Sequence, residues 1–115
     1  MPYINHIEFE VTNLKRAAKF YRNLFGFKVR VVPKWDYALW TSERSPSGGF
    51  AKVKRVRHGS TTAVFQVDSI EKYQKKAKKF GGRVFRKKMP LPGGMGFYGA
   101  IKDPFGNTLG LWSRR

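Results

Sequence analysis

The feature that most constrains this chain is an internal repeat of about half its length. Residues 9–14 align with residues 65–70, an offset of 56 in a chain of 115, and the matches continue to Gly26 and Gly82. In both copies a strand runs into a capped helix, and the helix ends at glycine. One supersecondary unit therefore occurs twice. Each copy is too small to bury its own sheet face, so we expect the two to pack as one domain.

The first copy begins with an alternating segment over residues 4–11 that is typical of a strand. Apolar residues at helical spacing predict a helix over residues 14–24, which Thr12 or Asn13 caps and Gly26 ends. Short strands are then expected over residues 28–32, 37–41 and 50–54, with a turn at residues 46–49.

The second copy repeats these events. A strand is predicted over residues 61–67, and Asp68 with Glu71 forms a capping-box pattern before a helix that Gly81 ends. Three more strands are expected over residues 83–87, 96–102 and 108–112. The repeat thus predicts two modules, about 1–58 and 59–115, within a single domain.

The composition excludes several classes of protein. The chain has no cysteine, so disulfides, cysteine-ligated metals and thiol catalysis are ruled out. No apolar run approaches the ~20 residues that span a bilayer, and the first residues lack the pattern of a signal peptide. We therefore expect a cytoplasmic protein that makes no membrane contact.

The charge is strongly unbalanced. The 24 Lys and Arg residues outnumber the 7 Asp and Glu residues, which gives a net charge of +17. Such an excess attracts anions and promotes nonspecific contact with nucleic acid, but no helix-turn-helix, zinc finger or aromatic RNA-binding signature accompanies it. We therefore expect a solvated face rather than a specific nucleic-acid site, with weak nonspecific nucleic-acid association as the alternative. The basic clusters are Lys52, Lys54, Arg55 and Arg57; Lys72, Lys75, Lys76, Lys78 and Lys79; and Arg83, Arg86, Lys87 and Lys88.

Three stretches carry a family pattern over nearly the whole chain: residues 6–27, residues 65–84 and residues 101–112. Together they resemble the vicinal oxygen chelate superfamily, the glyoxalase/bleomycin-resistance/dioxygenase proteins. The ending Asp-Pro-x-Gly-Asn-x-x-Gly-Leu-Trp is most similar to small proteins related to lactoylglutathione lyase. The resemblance implies an α+β fold in which two βαβββ modules form a curled, cup-like mixed β-sheet with helices on the outside. It also implies a homodimer.

Enzymes of this family bind a divalent metal at the first and last strands of the modules, where it acts as a Lewis acid. The resemblance places His6 at the first such position and Thr62 at its counterpart in the second module. The last-strand position is Gly110, and its first-module counterpart falls near Lys54. Only His6 is a good ligand, so we expect no cofactor, with a divalent metal as the alternative. The second histidine, His58, is expected on the surface between the modules.

Acidic residues on the first strand are candidate catalytic groups. Strand parity places His6, Glu8 and Glu10 on one face. A carboxylate in an apolar cup has a raised pKa and can act as a base, and a histidine can act as general acid or base near neutral pH. His6 and Glu8 are therefore the candidate catalytic residues. The alternative for both carboxylates is a structural ion pair with a Lys or Arg across the barrel, such as Lys52 or Lys54.

Four further residues are candidates for ligand binding: Trp40, Thr62, Gln66 and Trp112. Tyr37 and Trp40 differ in strand parity, so only one faces the cup, and we expect it to be Trp40. Aromatic walls with a few polar groups suit planar or apolar small molecules. Ordinary core filling is the alternative for each aromatic residue.

Three functions remain from the sequence. The first is binding of an apolar or anionic small molecule in the cup, without the usual metal. The second is a lyase or isomerase that abstracts a proton beside a carbonyl, with Glu8 as base or with a metal on His6 and Glu8. The third is association with nucleic acid through the basic surface.

Overall fold

The computed structural model of the protein describes residues 2–57 and 59–115, so the expectation for His58 lies outside the described residues. Two modules follow one another in the order β-α-β-β-β, which confirms the predicted α+β class. The first contains β1 (Tyr3–Val11), α1 (Leu14–Phe25), β2 (Lys28–Val32), β3 (Tyr37–Thr41) and β4 (Ser47–Lys52). The second contains β5 (Thr62–Gln66), α2 (Ile70–Lys79), β6 (Arg83–Pro90), β7 (Phe97–Lys102) and β8 (Thr108–Ser113). Two compact units result: Asn5–Thr62, and Ala63–Arg115 together with the start of β1.

In the first unit the strand order is β2-β3-β4-β1, with β1 parallel to β4 and the other pairs antiparallel. Helix α1 packs on one face of these strands through Ala17, which joins a buried cluster of Ala38, Trp40 and Phe50. Asn13 caps the helix by accepting a hydrogen bond from the Arg16 backbone N–H at 2.9 Å. Asn13, rather than Thr12, is therefore the cap.

The predicted boundaries of β4 are wrong. The strand begins at Ser47, three residues earlier than residue 50, and it includes Gly48 and Gly49 rather than leaving them in a turn. Both glycines are buried where a side chain of β3 crosses the strand, and an added Cβ would collide with Trp40 at Gly48 and with Tyr37 at Gly49. Glycine within a strand marks such a close approach.

In the second unit the strand order is β5-β8-β7-β6, with β5 parallel to β8. Helix α2 packs through Ile70, which is fully buried with Val67 and Leu111. The predicted capping box is wrong: Ser69 caps α2 by accepting from the Lys72 backbone N–H at 3.3 Å, and Asp68 instead pairs with the Lys72 ammonium at 3.4 Å.

Strand β6 is longer than predicted and continues to Pro90, before a single 3-10 turn at Pro92–Gly94. The buried Gln74 side chain of α2 donates to the Arg86 carbonyl at 2.7 Å and so ties the helix to this strand. Neither helix of the described chain is long and apolar enough to cross a membrane.

Candidate functional site

A cluster of three polar side chains lies on module 1, on the face of the strands opposite α1. The Tyr37 hydroxyl donates to Glu8 Oε2 at 2.9 Å, and His6 Nε2 lies 2.8 Å from the same hydroxyl oxygen. Because a phenol has one proton and gives it to Glu8, His6 Nε2 carries the proton of the second bond and donates it to Tyr37. Tyr37 therefore links the two predicted catalytic residues, His6 and Glu8.

Tyr37 reaches β1 only because Gly49 has no side chain. Strand β4 lies between β3 and β1, and Glu8 is in register with Gly49. A Cβ added at Gly49 would overlap the Tyr37 hydroxyl and ring, at distances shorter than any van der Waals contact. The tyrosine thus crosses the middle strand over a glycine to reach Glu8.

The structure contradicts the expectation that Trp40 rather than Tyr37 lies on the face of His6. Trp40 is 4% exposed and stacks on Phe27 with ring centroids 4.4 Å apart and an interplanar angle of 6°. It crosses Gly48 on the α1 side, and it packs against Phe9 as well. The alternation of a strand places neighbouring glycines on opposite faces, so Gly48 admits Trp40 to the core and Gly49 admits Tyr37 to the polar cluster.

Burial changes the pKa of both titratable groups in the cluster. It raises the pKa of Glu8, an effect that the Tyr37 hydrogen bond partly offsets and the nearby Glu10 carboxylate reinforces. Burial also lowers the pKa of His6. Both shifts favour neutral side chains, which suits proton sharing among a carboxyl group, a phenol and an imidazole.

Glu10 takes part in an ion pair with an arginine, as its alternative interpretation predicted. Its carboxylate accepts from the Arg57 guanidinium at 2.7 Å, and neither of the two example partners, Lys52 and Lys54, takes this place. The Arg57 hydrogen bond lowers the pKa of Glu10, the opposite direction to Glu8. Glu8 makes its hydrogen bond to Tyr37, so the two carboxylates of β1 have different surroundings.

A cleft of about 280 Å³ in module 1 is lined by the start of β2, the end of β3 and the start of β4. Ser47, which lines the cleft, is the register partner of His6. By strand register, Lys28, Arg30, Thr41 and Ser47 share the face of His6 and Glu8. The cleft therefore combines two cations and two hydroxyl groups from the face of the polar cluster with Val29, Trp40 and Gly48 from the other face. Its lining residues are Lys28, Val29, Arg30, Leu39, Trp40, Thr41, Ser47 and Gly48.

The remaining ligand-binding candidates lie outside this cluster. Thr62 donates its hydroxyl proton to the Ser60 carbonyl at 3.2 Å. In the second unit, Gln66 and Trp112 are register partners on β5 and β8, and the Trp112 indole donates to the Met95 carbonyl at 2.8 Å. Gln66 and Trp112 share a face, as parity predicted, but their role in binding stays a prediction.

A protein-family model identifies the superfamily to which the chain belongs. The model of the Glyoxalase/Bleomycin resistance protein/Dioxygenase superfamily matches residues 3–111, so the chain belongs to that superfamily. No curated protein sequence matches the chain.

Solved structures agree with this assignment at the level of the fold. A superfamily member from Vibrio splendidus 12B01 has a TM-score of 0.70 at 12% identity, covering 98% of this chain and 99% of its own. Methylmalonyl-CoA epimerase from Mycobacterium tuberculosis has 0.72 at 12% identity, covering 96% and 86%. The Mn(II)-bound glyoxalase from Novosphingobium aromaticivorans has 0.74 at 14% identity, covering 96% and 38%. Identities this low establish a shared fold and leave the activity open.

The residues present do not fit a metal site of the family type. Among the described residues, no group of three or more His, Asp or Glu side chains is placed to hold a metal ion. Register makes Gly49, not a residue near Lys54, the first-module counterpart of Gly110, because Gly49 pairs with Glu8 as Gly110 pairs with Val64. Both last-strand positions are thus glycine. A protein metal site of this kind needs about three donors.

Tyr37 is a site residue that the sequence analysis does not predict, although the sequence contains a signal for it. Tyr98 and Gly110 each lie 61 residues after Tyr37 and Gly49. In both halves a tyrosine is followed at the same distance by a strand glycine. This pattern indicates that the tyrosine crosses over the glycine in each module. The alignment at an offset of 56 concealed it, because the connections after the helices differ in length.

Proposed function

We propose that the chain binds a small anionic or apolar molecule on the open face of module 1, without a metal of the family type. One observation carries the proposal: the hydrogen-bonded cluster of His6, Tyr37 and Glu8 shares a strand face with Lys28 and Arg30, which line a cleft. Ligand sites combine a concave surface with a few convergent polar groups, and this combination supports a site on module 1.

The charges favour an anionic group at the cleft end of the ligand. Lys28 and Arg30 are exposed and supply the donors that a carboxylate or phosphate prefers. His6, Tyr37 and Glu8 combine hydrogen-bond donors and acceptors in one cluster, so they suit a hydroxyl or carbonyl group. The expected ligand is therefore a small acid with a polar, uncharged end.

Binding is tested by titrating the protein with inorganic phosphate and with a set of small hydroxy and oxo carboxylic acids. NMR amide chemical shifts measure the binding. We expect saturable shifts on β2, β3 and the first half of β1. The variant Lys28→Gln/Arg30→Gln should weaken binding at least tenfold, whereas the matched variant Lys15→Gln/Lys19→Gln on α1 should not. An equal loss of affinity in both double variants would show that the effect comes from overall charge and would contradict a site at Lys28 and Arg30.

Metal binding is tested separately by elemental analysis after incubation with nickel, zinc, manganese and iron salts and then desalting. We expect no stoichiometric metal, since His6 Nε2 is engaged by Tyr37. About one metal per chain, lost in His6→Ala, would contradict the proposal and return the search to the metal-dependent chemistry of the family.

A second candidate function, proton abstraction beside a carbonyl, has its own supporting observation. Burial raises the pKa of Glu8, and Tyr37 lies between Glu8 and His6 as a proton donor. A base of raised pKa at this position suits a lyase or isomerase step. Pyruvate and dihydroxyacetone in D₂O provide the test: Glu8-dependent loss of their C–H proton signals, abolished in Glu8→Gln, would support catalysis. Exchange no faster than in buffer would contradict catalysis, and binding would remain as the only proposed function.

A further inference from the structure

One end of module 2 exposes phenylalanine rings among basic side chains. Phe105, in the turn between β7 and β8, is 89% exposed, and Phe80, at the end of α2, is 72% exposed. Phe85 on β6 is 44% exposed. Large rings exposed beside one another indicate a surface for a partner more often than an isolated exposed residue does.

Backbone contacts bring these rings to the same end of the module. Gly81 follows Phe80, and a Cβ added at Gly81 would lie 3.6 Å from the side chain of Pro104, which precedes Phe105. A Cβ added at Gly82 would collide with the Lys102 carbonyl oxygen, so the backbone there passes close to the end of β7. Helix α2, the start of β6 and the β7–β8 turn therefore meet where the rings are exposed.

Cations flank two of the rings. The Lys79 ammonium lies 5.7 Å from the centre of the Phe80 ring, and that of Lys102 lies 4.3 Å from Phe85. Arg83 is the register partner of Lys102 on the edge strand. We call this surface the basic aromatic end: Lys79, Phe80, Arg83, Phe85, Lys102 and Phe105. It belongs to a segment, residues 63–115, with twelve Lys and Arg against three acids.

We propose that the basic aromatic end binds single-stranded nucleic acid. Proteins that bind single strands combine cations along the backbone with aromatic side chains on which bases stack. Phe80 and Phe105 supply accessible ring faces for unpaired bases. Lys79 and Arg83 are exposed and supply charge for the phosphates between them. A duplex keeps its bases stacked inside, so it can use the charges but not the rings.

The same surface fits a membrane less well. Helices that lie on membranes insert an apolar face, but the apolar side of α2 is already used in the core, where Ile70 is fully buried. The helix presents lysines to solvent, and the exposed rings sit at its end and in a turn, with cations beside Phe80 and Phe85. A strand that offers both unpaired bases and phosphates matches this combination of rings and charges.

The rings are tested by fluorescence anisotropy with a labelled 15-nucleotide oligothymidine and a duplex of equal length. We expect the single strand to bind more tightly than the duplex in 150 mM KCl. Phe80→Ala/Phe105→Ala leaves the charge unchanged and should weaken single-strand binding about fivefold or more per ring. Phe20→Ala/Phe25→Ala, which removes two exposed rings from α1, is the matched control and should have no effect.

The charges are tested through the dependence on salt. Lys79→Gln/Arg83→Gln should make the slope of log affinity against log salt shallower by about 1.4, since each single-strand phosphate contact contributes about 0.7. Lys15→Gln/Lys19→Gln removes the same charge from module 1 and should leave the slope almost unchanged.

Three results would overturn the proposal. One is equal affinity for duplex and single strand, and another is equal weakening by the module 1 control variants. The third is binding to vesicles of phosphatidylserine and phosphatidylcholine that depends on Phe80 and Phe105 in the absence of oligothymidine binding, which would assign the surface to membranes. Thermal unfolding of each variant establishes that the chain remains folded, and Phe80→Leu provides a milder substitution where alanine is too disruptive.

Discussion

Modules 1 and 2 use the same device in different chemical surroundings. In each, a tyrosine of the third strand lies over a glycine of the fourth: Tyr37 over Gly49, and Tyr98 over Gly110. In module 1 the hydroxyl meets Glu8, whereas Val64 occupies the equivalent register position in module 2. One architecture thus positions a polar cluster in one half and a mainly apolar packing in the other.

The difference also separates two roles of glycine. At Gly49 an added Cβ would overlap the Tyr37 hydroxyl, whereas at Gly110 it would lie 2.9 Å from a Val64 methyl group and 3.0 Å from the Tyr98 hydroxyl. The first fit leaves no room for adjustment, and the second requires shifts of a few tenths of an ångström. The two modules can therefore serve as controls for each other.

The largest effect is expected from Gly49→Ala. The methyl group displaces Tyr37, overpacks a buried strand and separates both hydrogen bonds, so we expect a loss of about 3 kcal/mol in the free energy of unfolding. Gly110→Ala should cost about 1 kcal/mol, because only side-chain ends need to move. Urea unfolding of both variants measures the difference. Equal losses would show that the two crossings are equally tight.

Removal of the hydroxyl groups alone should have a smaller effect. Tyr37→Phe keeps the ring over Gly49 but leaves Glu8 and His6 without their shared partner, at a cost of about 2 kcal/mol. Tyr98→Phe should cost less, because it leaves the hydrogen bonds of Glu8 and His6 in place. The same urea experiment tests this pair. A larger loss of unfolding free energy in Tyr98→Phe would show that the hydroxyl group more important for stability lies in module 2.

Much of this arrangement follows from the sequence, and the rest depends on register. Alternation placed His6 and Glu8 on one face correctly, and β2 and β3 have their predicted bounds, because strand periodicity is a local property. The choice between Tyr37 and Trp40 was not local. It depended on which buried position of β4 lacks a side chain on each face, and hence on the pairing of β3 with β4.

The error at Gly49 has the same origin. The internal repeat aligns the first strands at an offset of 56, but the third and fourth strands at 61. A single offset therefore assigned Lys54 as the counterpart of Gly110, although pairing places Gly49 there. Loop lengths alter the offset, and only hydrogen bonding between strands corrects it.

The pH dependence of stability should distinguish the polar cluster from the rest of the chain. Folding raises the pKa of Glu8, so the native state binds more protons than the unfolded state above the unfolded pKa of about 4.3. Stability from this group is therefore complete below that pH and falls as pH rises through the folded pKa. Glu8→Gln should remove the fall, which shows as a gain relative to wild type toward neutral pH.

His6 should act in the opposite direction. Folding lowers its pKa, so its contribution is present above about pH 6.5 and is lost as pH falls through the folded pKa. His6→Gln should flatten that loss. Urea unfolding between pH 4 and pH 8 measures both variants, with Val64→Thr in module 2 as a control that adds no titratable group. Parallel curves for wild type and both variants would contradict the assignment of these shifts.

The smallest effect should come from Arg57→Gln, which removes the partner of Glu10 on the same strand as Glu8. The Arg57 side chain is 77% exposed, so water and salt screen its charge and the stability should change little. The Glu10 pKa should rise toward its ordinary value, because the Arg57 hydrogen bond is the largest cause of its lowering. Carboxyl carbon shifts followed by NMR measure both acids at once. Movement of Glu10 alone would establish that Glu8 owes its raised pKa to burial beside Tyr37, whereas movement of both would show that the two carboxylates titrate as a coupled pair.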